Sequence, residues 1–444
     1  MALGGGTFTA QNKVLPGSYI NVVSRLTASA ALSDRGYVAA ALQLGYAPEG
    51  LFTITADDLY TRSRSLLGHE YGADELRNLR EILKNAHTVY CYNVLAGGAK
   101  ASNTYATAKY NGEAGNQIKI RIEADVDDSN SLIVSTLFNN DVVDEQKIAK
   151  VSGSSTADNG LKDNDYVVFK KTAVPAVTAA TALSGGTDGT YSGGQISSAF
   201  TAFESCTFNT LVVEGASTDD EAAANYAERQ REKYGKKFQA VISDIGKASA
   251  VDHEGVVKVP NKALNVSDLT GQLKFWTAGA LAGCPINRSL TNTVYDGEYE
   301  VDVNYSQAEL ESLIENGFFA FHRVGDDVRV LLDRNSLVTY TEDKGELFND
   351  NQVIRVADQI ANDIAVIFNT KYIGAVQNNA TGRALFKADI IQHHNQLQDM
   401  NAIEGFTADS VTIEAGTEKG AVVVTDAVTV VGTMTKLYMT VYVS

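Results

Sequence analysis

Cysteine is scarce in this chain. Its three copies, Cys91, Cys206 and Cys284, stand far apart in apolar surroundings ("TVYCYNV", "FESCTFN", "LAGCPIN"). No CxxC pair exists, which excludes a zinc knuckle and a thioredoxin-type site. Buried, reduced thiols are expected, because a free cysteine behaves as a small hydrophobe. Histidine is thin too, with six copies. His69-Glu70 and His253-Glu254 each lack the second histidine of HExxH. His393-His394 are adjacent, so they cannot share a helix face, and a solvated helix surface is expected for them. There is no GxxxxGK[ST] run to cradle phosphate and no GxSxG elbow to present a serine. The Gly-rich runs "LAGGAKAS" and "LSGGTDGTYSGG" read as turns. "ADVDDSN", from Ala124, opens like an EF-hand loop but lacks the glycine at position six and the glutamate at position twelve. No catalytic, metal-binding or cofactor-binding residue is expected, and the chain does not read as an enzyme.

Long apolar runs are also missing. None reaches the ~18 residues that a membrane-spanning helix requires. The start, "MALGGGTFTAQNKVLPGSY", has no basic stretch leading into an apolar one, as a secretory signal would. Synthesis and folding in a cytoplasm are therefore expected. Positive charge is short: 37 Lys and Arg face 54 Asp and Glu, a formal net charge of -17. Phosphate contacts need a basic surface, so a nucleic-acid coat is excluded. Mutual repulsion favours solubility.

What the chain does hold is a strand-and-helix pattern over a length that suggests two to four domains. Residues 1–25 read as an arm: Gly-rich "MALGGGTF", then a short extended stretch around Tyr19, Ile20, Val22 and Val23. Residues 26–99 and 191–290 read as one discontinuous α/β domain. Strand stretches such as "YVAAAL", "HTVYCYNVL", "FNTLVVEG" and "KFQAVIS" alternate with helices, as in a parallel or mixed sheet with crossovers. Thr55 suits an N-cap before Asp57 and Asp58. Leu76, Leu79 and Leu83 recur at helical spacing.

Residues 100–190 read as an inserted, β-rich outer domain bounded by glycines, with Ile118, Ile120 and Ile122 on one strand face. In 278–298, the small residues Gly279, Ala280, Ala282 and Gly283 permit close helix approach, and Pro285 stops the helix. Residues 291–444 read as a C-terminal α+β domain. It holds a helix capped by Ser306, a hairpin turning through "GDD", the longest helix over 349–372, and a second helix in "ALFKADIIQHHNQLQDMNAI". The longest helix carries a stripe of Val353, Val356, Ile360, Ile364, Ile367 and Phe368. The fold class is thus multidomain α+β / α/β: a central mixed α/β core, an inserted β-rich domain, and a C-terminal α+β domain with extended N- and C-terminal β arms.

The last stretch, "AVVVTDAVTVVGTMTKLYMTVYVS" (421–444), is strand-forming almost throughout, with no blunting charge run. A bare strand edge invites pairing. Either this stretch is covered within its own sheet, or pairing with a neighbour is its purpose.

Four stretches together resemble the tail sheath protein of contractile phage tails: "AKYNGEAGNQIKI" (108–120), "LSGGTDG" (183–189), "AGALAGCPINRSLTNTVYDGE" (278–298) and "FNDNQVIRVADQIANDI" (348–364). The start, "MALGGGTFTAQNKVLPGSYINVVS", resembles the sheaths of Gram-positive contractile tails, including defective prophages and phage-tail-like bacteriocins. The resemblance implies a structural subunit that polymerises as stacked hexameric rings around an inner tail tube. On a baseplate signal such a stack contracts and drives the tube through a cell envelope, without nucleotide or other cofactor. Partners implied are further copies of the chain, the inner tube protein, and baseplate and tail terminator proteins, with neither nucleic acid nor, in the resting state, a membrane. The place implied is a virion or phage-tail-like particle assembled in the host bacterial cytoplasm.

The resemblance also implies that both arms join neighbouring subunits by strand addition. Leu15, Tyr19, Ile20 and Val22 would serve in one arm, and Val422, Val424, Leu437, Met439 and Val441 in the other. Arg355, Lys371, Arg383 and Lys387 are candidates for breakable polar contacts with the tube. A non-contractile self-assembling tube or shell is the alternative reading. A cytosolic α/β enzyme is a third, and it would need a convergent polar pocket.

Overall fold

The computed structural model describes residues 32–150, 158–243, 250–266 and 272–443. The described residues of Asp34–Ile360 and Val430–Ser444 form one compact unit, and those of Met1–Ser33 and Ala361–Thr429 form another.

The larger unit is built on β1 (Tyr37–Leu42), whose sequence YVAAAL is buried almost throughout. β2 (Leu51–Thr55) and β3 (Thr88–Asn93) follow, and after an insertion come β12 (Thr210–Val213), β13 (Gln239–Ser243) and β14 (Val256–Val259). The sheet order is β14-β13-β12-β1-β3-β2. All neighbours are parallel except β2, which runs antiparallel to β3 at the edge. Successive β1 side chains point to opposite faces. Val38, Ala40 and Leu42 enter one core, Ala39 and Ala41 the other. Both faces are covered by helices, which explains why the strand is apolar without alternation.

The helices are α1 (Ala56–Leu67), α2 (Arg77–Leu83), α3 (Gly193–Phe203), α4 (Ser217–Lys233) and α5 (Leu273–Gly283). Thr55 and Asp58 form a reciprocal capping box at the start of α1. α5 lies against α2 with backbone almost touching backbone. A Cβ on Gly279 would stand 2.1 Å from the Ile82 carbonyl oxygen, and one on Gly283 would stand 2.0 Å from that of Asn85. The small-residue run thus does what its composition predicts, and only glycine fits at these two positions.

The insertion leaves and returns through the pair β4 (Leu95–Ala96) and β11 (Thr190–Tyr191). Inside it, β5 (Ala106–Ala108) pairs with β9 (Val167–Phe169). β6 (Ile118–Ala124), β7 (Ser131–Phe138), β8 (Asp141–Ala149) and β10 (Thr178–Ala182) make an antiparallel sheet in the order β10-β6-β7-β8. Ile118, Ile120 and Ile122 are fully buried in a core of the insertion's own, with Val134, Phe138, Val167 and Phe169. Asp125 and Asp128 lie in the β6–β7 connection, and Lys147 sits 2.5 Å from Asp125.

Residues 291–360 belong to the same unit as the α/β core. α6 (Gln307–Glu315) carries a Ser306 capping box. β15 (Phe321–Val324) and β16 (Asp327–Val330) form the expected hairpin. Phe319, Phe321 and Val330 join the core around Trp276, whose ring lies 5.5 Å from that of Phe321. The helix stop at Pro285 therefore ends an element without ending the domain: the chain continues across the same core. The division between units falls inside α7 (Asn351–Ile367), after Ile360.

In the smaller unit a π turn over Phe368–Tyr372 follows α7, then α8 (Ala380–Asp399), β17 (Ile403–Glu404), β18 (Val411–Ala415) and β19 (Val422–Asp426). The unit ends at Thr429, the first residue of the short β20 (Thr429–Val430). The 20-residue α8 is longer than the 17-residue α7, because the α-pattern of the preceding segment loosens into the π turn. Phe368, Tyr372 and Phe386 pack ring to ring, with Phe386–Tyr372 centroids 4.8 Å apart.

Candidate assembly surfaces

The strand-forming end of the chain divides into two parts. β19 is paired at home: Val422 lies opposite Ala415 and Val424 opposite Ile413 in β18. Past β20 no residue from 432 to 443 has a strand assignment. Leu437, Met439 and Val441 are 83%, 73% and 67% exposed, and Tyr438 and Tyr442 beside them are exposed as well. A row of large apolar side chains in water is unfavourable by about 1.5–3 kcal/mol per side chain relative to burial. It is the pattern of a surface that awaits a partner. Leu15, Tyr19, Ile20 and Val22 lie outside the described residues.

The root of this tail is held by one side chain that sequence reasoning missed. Gln352, in the first turn of α7 and 1% exposed, donates from Nε2 to the Val431 carbonyl at 2.9 Å. Its Oε1 accepts the Thr433 N–H at 3.2 Å. A lone glutamine at a helix start carries no sequence signal for such a role.

The four basic candidates separate. Arg355 is 3% exposed and cannot meet another protein. Its guanidinium donates to the Arg288 carbonyl at 2.8 Å and to Asp333 at 3.1 Å. Burial opposes its charge, but Asp333, Cys284 and Asp350 together hold its pKa above the ordinary arginine value. Helical spacing alone could not show that position 355 faces a buried aspartate. Lys371, Arg383 and Lys387 are partly exposed in the smaller unit. Lys371 pairs with Asp389 at 3.1 Å, and Arg383 donates to Asn378 at 2.8 Å. Lys419, Arg383, Phe368, Tyr372, Phe386 and Val422 border a recess of about 330 Å³.

His393 and His394 are fully buried, not on a solvated surface. Consecutive helical residues differ by ~100° in direction, and α8 is covered on both of the sides they face. His393 Nε2 lies 3.0 Å from Asp363, and His394 Nε2 lies 2.8 Å from Asp426 of β19. The His394 Nδ1 stands 2.9 Å from the Ile390 carbonyl. His394 thus joins the β18–β19 hairpin to α8, and His393 joins α7 to α8.

Glu232, His253 and Glu254 bring ligand-type atoms within 4.8 Å of one another. Their surroundings close the set as an ion-pair network. His253 Nδ1 accepts the Gly255 N–H at 2.9 Å, so in the neutral ring Nε2 carries the proton and faces Glu232 at 3.3 Å. Lys344 Nζ sits between the carboxylates, 2.7 Å from Glu232 and 3.0 Å from Glu254. Arg231, beside them, is bound through both terminal nitrogens by Asp358 at 2.6 and 2.8 Å. Burial pushes the Glu254 pKa up, but His253, Arg231 and Lys344 together hold it below the usual range.

In doubly wound sheets, ligands bind beyond the carboxyl ends of the strands where the order reverses. Here that place lies past β1 and β12, and the chain's own side chains fill it. Glu214 accepts the Gln43 N–H at 2.8 Å and the Asn78 amide at 3.0 Å. Asp219 accepts the Ala216 N–H at 2.7 Å, and Asp220 holds Lys274 at 2.8 Å. Two carboxylates thus occupy the first turn of α4, where a phosphate would otherwise dock.

The loop after α5 is pinned to α2. Arg80 grips Glu298 through two nitrogens at 2.6 and 2.7 Å. Glu81 accepts the Tyr295 hydroxyl at 2.8 Å and the Glu298 N–H. A Cβ on Gly297 would stand 2.3 Å from the Glu81 carboxylate. Burial pushes the Glu81 pKa from 4.5 up to about 7, against the pull of its two donors. Trp276 Nε1 donates to Asp296 in the same loop at 2.8 Å.

Three family models match consecutive parts of the chain: the phage tail sheath protein beta-sandwich domain over 96–188, the phage tail sheath protein central domain over 189–336, and the phage tail sheath C-terminal domain over 343–444. The phage-like element PBSX protein XkdK of Bacillus subtilis (strain 168) is 30% identical over 482 residues, covering 100% of both chains. The crystal structure of the sheath tail protein from Desulfitobacterium hafniense superposes with a TM-score of 0.73 at 33% identity, covering 90% of this chain and 93% of that one. The helical sheath of the anti-feeding prophage in its contracted state shares the fold, with a TM-score of 0.58 at 13% identity over 97% of this chain and 99% of that one.

Proposed function

The chain belongs to the phage tail sheath family, and from that premise we propose that it polymerises as stacked six-membered rings around an inner tail tube and contracts to drive the tube through a target envelope. The observation that carries this reading is the exposed apolar tail past Gln352, a strand-forming segment with no strand partner among the described residues. A neighbouring copy would accept it by strand addition, through main-chain hydrogen bonds, with Leu437, Met439 and Val441 setting the register. Val422 and Val424 would take part through the edge of β19 that β18 does not use. Leu15, Tyr19, Ile20 and Val22 would supply the second arm. The particle is assembled in the bacterial cytoplasm, with baseplate and terminator proteins at its ends.

The filled crevice past β1 and β12 supports a structural rather than an enzymatic role, since carboxylates stand where a nucleotide phosphate would bind. Lys371, Arg383 and Lys387 are the remaining candidates for the tube-facing side. Exposed ion pairs contribute little each, which suits a contact that must release. Charge-reversed variants at these three positions should form sheaths that fail to retain tubes. Normal tube retention would remove them from the interface.

The deciding experiment is negative-stain electron microscopy of the purified chain beside versions lacking residues 1–24 or 432–444. Long hollow tubes from the full chain, and none from either truncation, would support lattice formation through the arms. Equal tubes from all three would refute strand exchange. Compact monomers from the full chain at high concentration would refute the sheath reading itself.

A further inference from the structure

The Gln352 side chain behaves as a substitute strand. Its amide meets residues 431 and 433, two apart in the chain, giving one donor to a carbonyl and one acceptor to an N–H. A residue on a neighbouring β-strand offers the same pair of groups to its partner. The partners also fix which end of the amide is oxygen, since a carbonyl needs a donor and an N–H needs an acceptor. Gln352 is itself anchored: its own N–H donates to Asp350 Oδ1 at 2.7 Å, and the residue is buried at the start of α7. The Val431 carbonyl and the Thr433 N–H are therefore satisfied, and the residues that follow are exposed.

We propose that Gln352 is a positioning residue for assembly, which fixes the point and direction at which the C-terminal tail leaves the body. The inference rests on the reading of the tail as a lattice arm. An arm with a fixed root has less orientational freedom to lose when it pairs, and preorganisation of this kind lowers the cost of association.

The test compares Gln352→Met and Gln352→Glu with the unaltered chain, and all three with the version lacking 432–444. Methionine keeps the bulk and removes the amide. Two readouts are taken: amide hydrogen exchange at Thr433, and the lowest protein concentration that gives polymers. Loss of a neutral hydrogen bond should speed Thr433 exchange about fivefold in the methionine variant. The polymerisation threshold should rise by a similar or larger factor.

Gln352→Glu asks the same question within one folded protein. Its carboxylate can still accept from Thr433 but repels the Val431 carbonyl. Protonation at acid pH restores a donor, so the variant's threshold should return toward that of the unaltered chain as pH falls. If the methionine variant polymerises at the unaltered threshold, or the glutamate variant shows no pH-dependent recovery, the positioning role is overturned. If deletion of 432–444 leaves polymerisation unchanged, the arm reading fails first, and the inference falls with it.

Discussion

Neutralising Glu81 should change how the stability of the larger unit depends on pH. Glu81 is buried beneath the 295–298 loop, and burial raises its pKa from 4.5 to about 7. Each pH unit of such a displacement corresponds to about 1.4 kcal/mol, so the proton contributes about 3 kcal/mol to the folded state. The sign follows from proton counts. Between pH 4.5 and 7 the folded state holds this proton more tightly than the unfolded chain does. The contribution is therefore complete below 4.5, declines as pH rises through the window, and is gone above about 7.

Glu81→Gln does not titrate and removes that decline. Other carboxylates, such as Glu254, respond with the opposite sign, so the informative quantity is the difference between the two proteins. Relative to the parent, the glutamine variant should gain about 3 kcal/mol between pH 4.5 and 8. Urea titrations followed by Trp276 fluorescence measure it. Trp276 is the chain's only tryptophan and bonds to Asp296 in the same loop. A pH-independent difference would refute the reasoning, as would a gain confined to the acid side.

Two further outcomes follow from close packing and buried charge. Gly279→Ala would place a methyl 2.1 Å from the Ile82 carbonyl oxygen, so α5 must move off α2. A loss of about 1–3 kcal/mol is expected in a chemical-denaturation curve, and an unchanged midpoint would show that the helices can separate freely. Asp358→Ala would strand the buried Arg231 guanidinium and should lower stability by about 3–5 kcal/mol, while the double change Arg231→Met with Asp358→Leu should recover most of it. If the double variant is as unstable as the single one, the charge pair is not the source of the loss.

Much of the fold was legible because local pattern and tertiary role agree. The alternating isoleucines of β6, the Thr55 and Ser306 caps and the glycines of α5 each act as their local chemistry suggests. Legibility failed where a residue's surroundings come from distant sequence. Arg355 reads as a surface charge until Asp333 is placed beside it. The adjacent histidines read as exposed until Asp363 and Asp426 close over them. The expected start of a separate domain at residue 291 could not be checked locally, because Phe319 and Phe321 return from beyond it to the core of Trp276. Among the assembly residues, strand propensity pointed to the tail, but it did not separate β19, engaged at home, from the free segment beyond. Gln352, which holds the junction, has no signature at all.

The free segment also sets a length. From Thr433 to Val443 about ten residues extend past the Gln352 anchor, and at ~3.3 Å each they span roughly 33 Å when taut. Under the proposed role as an arm, such a segment is a mooring line rather than a hinge. If Leu437, Met439 and Val441 pair with a neighbouring copy as proposed, residues 434–436 are left as the link, about 10 Å when taut. On the proposed arm reading, the reach between neighbouring copies is then set by this short link, and it can be altered residue by residue without touching either folded body.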